Sequence, residues 1–353
     1  MNNIFNLNQQ QIRRQKIRRQ NKILRQKIRQ QKIRQQQIRL RQIIYQILPL
    51  IQSRPLLLDD NTNNKSVNPK YNVKFYNNLN SNVNSKKTII HVLDYSYGLG
   101  DYLRGSIFLA QCAKFFNVNL KLHLSNHNII KCLKNENENK IHINNHNHYF
   151  YSGDNDYSNK FKFLLLINKF KKSKNTKLYI TTNFNYNING VSSDIKNYIN
   201  SCFKFKQFYY DELNKLFNLQ KYNVIHIRCN DENINGDFND NLLILKIKNL
   251  QLNNNTIVIS NNYSLKQNLN KLFGFYFIDS RAVHLGNITD TTNTNDLYST
   301  IIEYIILSKS SQTYCFSYYS HGSGFSEQCS VLNNVPYTVF YINNINNINN
   351  INN

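Results

Sequence analysis

Two stretches of this 353-residue sequence carry residue types that could handle an anion. The first is Val224-Ile-His-Ile-Arg-Cys-Asn-Asp231. In an extended strand His226 and Arg228 point to the same side, because side chains alternate with period two, and Asp231 falls just past the strand end. Ligands of open α/β sheets bind outside the carboxyl ends of strands. A guanidinium placed there can grip a pyrophosphate through forked hydrogen bonds. The same spacing also suits an Arg and an Asp that pair on the surface. The second stretch is Tyr97-Gly-Leu-Gly-Asp-Tyr-Leu-Arg-Gly105. A strand running into Gly98 and Gly100, with a helix opening near Asp101, lets backbone approach a ligand at a helix N-terminus. Arg104 stands one turn into that helix, facing the cleft or solvent. No Gly-Lys-Ser/Thr follows, and Leu103 takes the third-glycine place of a dinucleotide loop, so neither common phosphate loop is present. The plainer reading is a tight turn in which Asp101 caps a helix.

These stretches need a scaffold, and the pattern around them supplies one. Thr88 to Leu93 reads as a strand, Leu103, Ile107 and Ala110 form a helical stripe, and Val118, Leu120, Leu122 and Leu124 alternate as a second strand. The later half repeats the rhythm. Strands are expected at Val224–Ile227, Ile257–Ile259, Phe275–Ile278, Thr313–Phe316 and Tyr337–Tyr341. Helices are expected near Leu242–Leu250, Leu265–Phe273 and Leu297–Ser308, and from Ser326. Alternating strands and helices imply an α/β fold with largely parallel sheets. The expected architecture is two Rossmann-like lobes meeting at a cleft, a GT-B-like arrangement, with lobes at 88–220 and 221–341.

Net charge is +24, from 44 Lys and Arg against 20 Asp and Glu. No acidic residue precedes Asp59, and Arg13 to Arg54 holds 14 of the basic residues, which leaves 30 basic against 20 acidic elsewhere. Residues 1–58 thus form a basic arm built on an Ile-Arg-Gln-Gln-Lys-like repeat. Its isoleucines recur mostly every five residues, a step of about 140° that spirals them around a helix instead of making a coiled-coil seam. The arm reads either as a solvated repeat or as a non-specific polyanion binder over residues 9–54. Residues 59–87 read as a polar linker and 342–353 as an Ile-Asn-Asn tail. The Asn, Ile, Lys and Tyr excess follows from an AT-rich coding sequence, so an Asn-rich loop signals little.

Six cysteines lack any Cys-x-x-Cys pair and read as reduced thiols of a cytoplasmic protein. The longest apolar run near the start, Ile43 to Ile51, falls short of the roughly 20 residues a spanning helix needs. His142, His146 and His148 have a metal-like spacing, and Asp154-Asn-Asp156 a carboxylate pair, but both lie in polar loops and no metal is expected there.

The order of the Gly-x-Gly-x-x-x-Arg turn, the His-x-Arg-x-x-Asp strand end and a late Ser323-Gly-Phe-Ser326, preceded by the segment Asp296 to Tyr304, resembles the fucosyltransferase superfamily. That superfamily includes α1,2-, α1,6- and protein O-fucosyltransferases, and the resemblance spans Ile89 to Phe340. It implies a GDP-sugar donor, a glycan or protein acceptor, inversion at the anomeric carbon, and no cofactor or metal. Arg228 would hold the donor phosphates and stabilise the leaving GDP, with His226 in support and Asp231 orienting the arginine or lining the pocket. Ser323, Gly324, Phe325 and Ser326 would meet a phosphate at a helix start, and Gly98, Gly100 and Arg104 would complete the donor site. The sequence departs from the pattern where Cys229 replaces a second arginine and Ser260-Asn-Asn262 replaces an Asp pair. A degenerate transferase fold acting as a structural or polyanion-binding protein is the alternative.

Overall fold

The computed structural model describes residues 86–93, 97–125, 127–134, 148–151, 157–217, 221–234, 240–280 and 297–342, together with residues 31 and 286. The basic arm, the linker and the tail lie outside the described residues, apart from residues 31, 86, 87 and 342. So do His142, His146, Asp154 and Asp156. All elements named below belong to the unit Ser53–Asn353.

The first sheet has four parallel strands: β1 (Thr88–Val92), β2 (Asn119–His123), β3 (His148–Tyr151) and β4 (Lys177–Thr182), in the order β2-β1-β4-β3. Its helices are α1 (Leu99–Phe116), which crosses from β1 to β2, and α2 (Tyr157–Lys172), which crosses from β3 to β4. Two further helices, α3 (Ser193–Cys202) and α4 (Gln207–Leu216), follow β4. The second sheet has five parallel strands: β5 (Asn223–Arg228), β6 (Thr256–Ser260), β7 (Tyr276–Phe277), β8 (Gln312–Ser317) and β9 (Tyr337–Tyr341). Their order is β7-β6-β5-β8-β9. Between them run α5 (Asn241–Asn249), α6 (Tyr263–Phe273), α7 (Tyr298–Lys309) and α8 (Gly324–Asn333). The expected α/β class with two parallel, Rossmann-like sheets is therefore present.

Parallel sheets are covered on both faces, so their central strands must be apolar throughout. Accordingly β6 is buried along its whole length and β5 along most of it. One face of β5 (Ile225, Ile227) packs with Cys229, Val258, Leu243, Ile247, Leu265 and Leu269 into a core beneath α5 and α6. Strand order reverses between β5 and β8 in the second sheet, the place where an open α/β sheet leaves a crevice.

Two glycines of α1 fix how the sheets meet. A Cβ on Gly105 would stand 1.8 Å from the Thr182 carbonyl oxygen, so α1 lies against the end of β4 at a distance no side chain permits. A Cβ on Gly100 would stand 2.4 Å from both Gly324 C and Phe325 N. The N-terminal turns of α1 and α8 are thus in backbone contact. Tyr186, after β4, adds a hydrogen bond to Gln328 of α8 at 2.7 Å, and Asn200 of α3 donates to the Leu332 carbonyl at 3.0 Å. Helices from the first half of the chain therefore pack directly on the second sheet's helices. The chain also contains no helix, among the described residues, long and apolar enough to cross a membrane.

The crossing is asymmetric, which gives a test. A Cβ on Gly324 would meet Gly100 at 3.6 Å, an ordinary contact. Gly100→Ala should therefore destabilise by about 1–3 kcal/mol through overpacking, seen as a fall of several degrees in the thermal midpoint. Gly324→Ala should stay within about 0.5 kcal/mol of wild type.

Candidate functional site

Because α1 follows β1 and α8 follows β8, their contact brings the carboxyl ends of both sheets to one place. Positive helix ends converge there, and free N–H groups of a first helical turn attract anions. Arg228 is the last residue of β5 and pairs with Ser317 at the end of β8, at the second sheet's switch point. The Tyr318 N–H reaches the Arg228 carbonyl at 3.1 Å and anchors the strand end. The Arg228 guanidinium lies over the Tyr319 ring, 5.3 Å from its centre. The ring's electron-rich face attracts the cation.

His226, two residues earlier and on the same side of β5, does not face an open site. It is 5% exposed, and its Nδ1 is 2.7 Å from the fully buried Ser326 hydroxyl. Its ring meets Phe325 edge to face, with centres 6.0 Å apart. Burial, then the Arg228 charge, pull its imidazole down to about 3. A neutral His226 thus ties the start of α8 to β5. This revises two sequence expectations: His226 supports the site through the protein, and the Ser326 hydroxyl points to His226 and not to a phosphate. Helix α8 begins at Gly324, not Ser326, with Ser323 as a cap that makes no side-chain cap bond. The first turn of α8 therefore runs through Gly324, Phe325 and Ser326, and the Ser323 backbone bonds to the Cys315 thiol.

The glycine turn is also placed differently from expectation. Gly98 is the cap residue of α1, and Gly100 gives its space to the α8 backbone, not to a ligand. Arg104 pairs with Asp101 and donates to Asn185 Oδ1 at 3.4 Å. Asp101 therefore makes an ion pair in the first turn, and α1 has no side-chain cap. Asp231 opens a short 3-10 turn with Glu232 and Asn233 after β5; its side chain is outside the described set.

Both departures from the family pattern have structural counterparts. Cys229 packs on the opposite face of β5 from Arg228, in the apolar core, where burial pushes its thiol up to about 11. An arginine there would have to bury its charge in that core. Asn261 and Asn262 each bond to the segment after β5, which sequence reasoning missed. Their signal was there: an Asn pair directly after a strand is a helix-start pattern, and Asn262 does cap α6 through the Leu265 N–H. Tyr319 was missed as well, since a lone aromatic after a strand carries no distinctive pattern. His148 lies in β3, bonded to Thr181 at 2.9 Å. Among the described residues no three His, Cys, Asp or Glu side chains group as a metal site. All six cysteines are unbridged thiols.

No protein-family model matches the chain, and no curated protein matches it. Solved structures do. Arabidopsis thaliana FUT1, a mutant in complex with GDP, is 11% identical over 73% of this chain and 71% of that one, with a TM-score of 0.47. The NodZ alpha-1,6-fucosyltransferase, soaked with GDP-fucose, is 11% identical over 73% and 95%, with a TM-score of 0.44. POFUT1 in complex with GDP is 9% identical over 73% and 99%, with a TM-score of 0.37. At such TM-scores, function has to be read from the chain's own residues.

The buried histidines make the fold acid-sensitive. His91 of β1, bonded to Ser106 Oγ at 2.9 Å and stacked on Tyr102, is also pulled down to about 3 by burial. An unfolded histidine protonates near 6.5, so stability is full above that pH and falls as pH drops toward 3. Each of the two should remove about 2 kcal/mol between pH 7 and pH 5. Glu303, raised to about 7 by burial beside Lys266, acts in the opposite sense. The wild-type-minus-variant difference isolates one group: urea unfolding of His226→Gln at the two pH values should show an acid-induced loss about 2 kcal/mol smaller than wild type.

Proposed function

We propose that the chain is an inverting, metal-independent glycosyltransferase that moves a sugar from a GDP-sugar to a glycan or protein hydroxyl. The fucosyltransferase resemblance of its motifs makes fucose the expected sugar. The observation that carries this reading is the position of Arg228, at the β5–β8 switch point beside the joined N-terminal turns of α1 and α8. A diphosphate is the ligand group that such an arrangement suits. In the reaction the bond from the anomeric carbon to the diphosphate oxygen breaks as the acceptor hydroxyl oxygen bonds to that carbon from the opposite face and gives up its proton to water or to the departing diphosphate. Negative charge then grows on the departing diphosphate, where a guanidinium and oriented N–H donors stabilise it. Gly324 and Phe325 offer those N–H groups, and Asp231 is assigned to orient Arg228 or line the pocket.

A second reading, a degenerate transferase fold working as a scaffold or polyanion binder through its basic arm, draws on the burial of Cys229, which leaves Arg228 without a second arginine beside it. The two readings separate on one comparison. If Arg228 meets the leaving group, Arg228→Ala should lower GDP-fucose turnover, including slow hydrolysis without acceptor, by roughly 30- to 1,000-fold, or about 2–4 kcal/mol. Arg228→Lys should recover only part, because it keeps the charge but loses the fork. The scaffold reading expects no turnover in wild type, and small, similar effects on stability from Arg228→Ala and Asp231→Ala.

A further inference from the structure

At the end of β5 the two flanking strands let go at different points. On the β8 side, pairing continues through Arg228 and Ser317. On the β6 side the last pair is Ile227 with Ser260. Beyond it a side chain takes over from the main chain. Asn261 Oδ1 accepts the Cys229 N–H at 2.9 Å, and Asn261 Nδ2 donates to the Cys229 carbonyl at 3.0 Å. One carboxamide thus makes both bonds that a peptide group would make in a ladder. Asn262 works in the same way further along: its Oδ1 accepts the Leu265 N–H at 2.8 Å and its Nδ2 donates to the Asn233 carbonyl at 2.7 Å. Consecutive asparagines at the end of β6 therefore fasten both ends of the segment 229–233.

We propose that Asn261 is a positioning residue for diphosphate binding, holding the backbone next to Arg228 so that its guanidinium keeps the aim a forked contact needs. The proposal rests on the diphosphate reading above and deepens it. An amide is required at this position, since a carboxylate has no proton for the Cys229 carbonyl and would set two oxygens against each other. The Cys229 side chain faces the apolar core and its thiol meets the Ser260 hydroxyl, so the main chain at this position is held by Asn261. With a cysteine at that position, the grip falls on one directional group. A forked hydrogen bond tolerates misplacement poorly, and a shift of about 1 Å at a reacting group can reduce rates a hundredfold. The Ser260-Asn-Asn262 departure is then the partner of the Cys229 departure, not a separate loss: one removes the second cation, the other fixes the first.

Double-mutant analysis of GDP affinity in the full chain tests this, with Arg228→Lys as the second variant, since a flexible point charge is less sensitive to backbone aim. Calorimetric titration with GDP would be run on wild type, Asn261→Ala, Arg228→Lys and the double variant, beside urea unfolding of each. Asn261→Ala should weaken GDP by about tenfold in wild type and by less than about threefold in the Arg228→Lys chain, while lowering unfolding stability equally in both. Asn261→Ser, which leaves a polar group in the gap, replaces the alanine variant if that chain does not fold, with the same pattern expected. Equal losses of affinity in both backgrounds, or lowered stability with unchanged affinity, would reduce Asn261 to a structural role and overturn the proposal. Wild type that binds no GDP would overturn it together with the function on which it rests.

Discussion

The contact between Gly100 and the Gly324–Phe325 backbone governs the rest of the molecule. Two helices can touch this closely at their first turns only if one of them lacks a side chain at the contact, and α1 meets that condition through Gly100. The Gly105–Thr182 contact presses the same helix onto the end of β4. Helix α1 is thus a wedge fixed on two sides, and nearly all of its length is buried. A helix apolar on all sides belongs in an interior, and this one lies inside because it joins two sheets.

From that joint the placement of α8 and of the end of β5 follows. Helix α8 is fixed at its start by Gly100 and by the His226–Ser326 bond, and at its far end by Asn200. Strand β5 is fixed by β8 on one side and by β6 with Asn261 on the other. Arg228 stands where these fixed elements end. The residues around it are mostly neutral and committed to one another: His226 to Ser326, Asn261 to Cys229, Asn262 to Asn233. Arg104, the other arginine of the two sequence motifs, is engaged by Asp101. On the proposed reading, the division of labour is between one forked cation that meets the diphosphate and a set of neutral hydrogen bonds that hold the backbone around it.

Much of this was legible in the sequence, and the remainder was hidden for identifiable reasons. The period-two pattern of β5, the helical stripe of α1 and the β8-to-α8 turn were readable because burial on both faces forces apolar runs. Strand β3 was not, being four residues long and half exposed at the sheet edge. Helix α2 carries buried Phe163, Leu164, Ile167 and Phe170 at helical spacing, but lysines and asparagines between them masked the stripe. In the site, residue types were visible while their partners were not. That Gly100 serves α8 and that Ser326 serves His226 depends on contacts between residues 100 or more positions apart. No local pattern encodes them. The asparagines at 261 and 262 were noticed only as substitutions for a family pattern, because pairing to Cys229 and Asn233 becomes visible only once β5 and β6 lie side by side.

The central claim is that the joined helix starts and Arg228 form one diphosphate site. A crystal structure of the full chain with GDP tests it most directly. The account predicts the diphosphate against the first-turn N–H groups of α8, with the Arg228 guanidinium forked onto it and His226 still bonded to Ser326. A GDP molecule bound elsewhere, or one bound there with no hydrogen bond from the Arg228 guanidinium to its diphosphate, would contradict it.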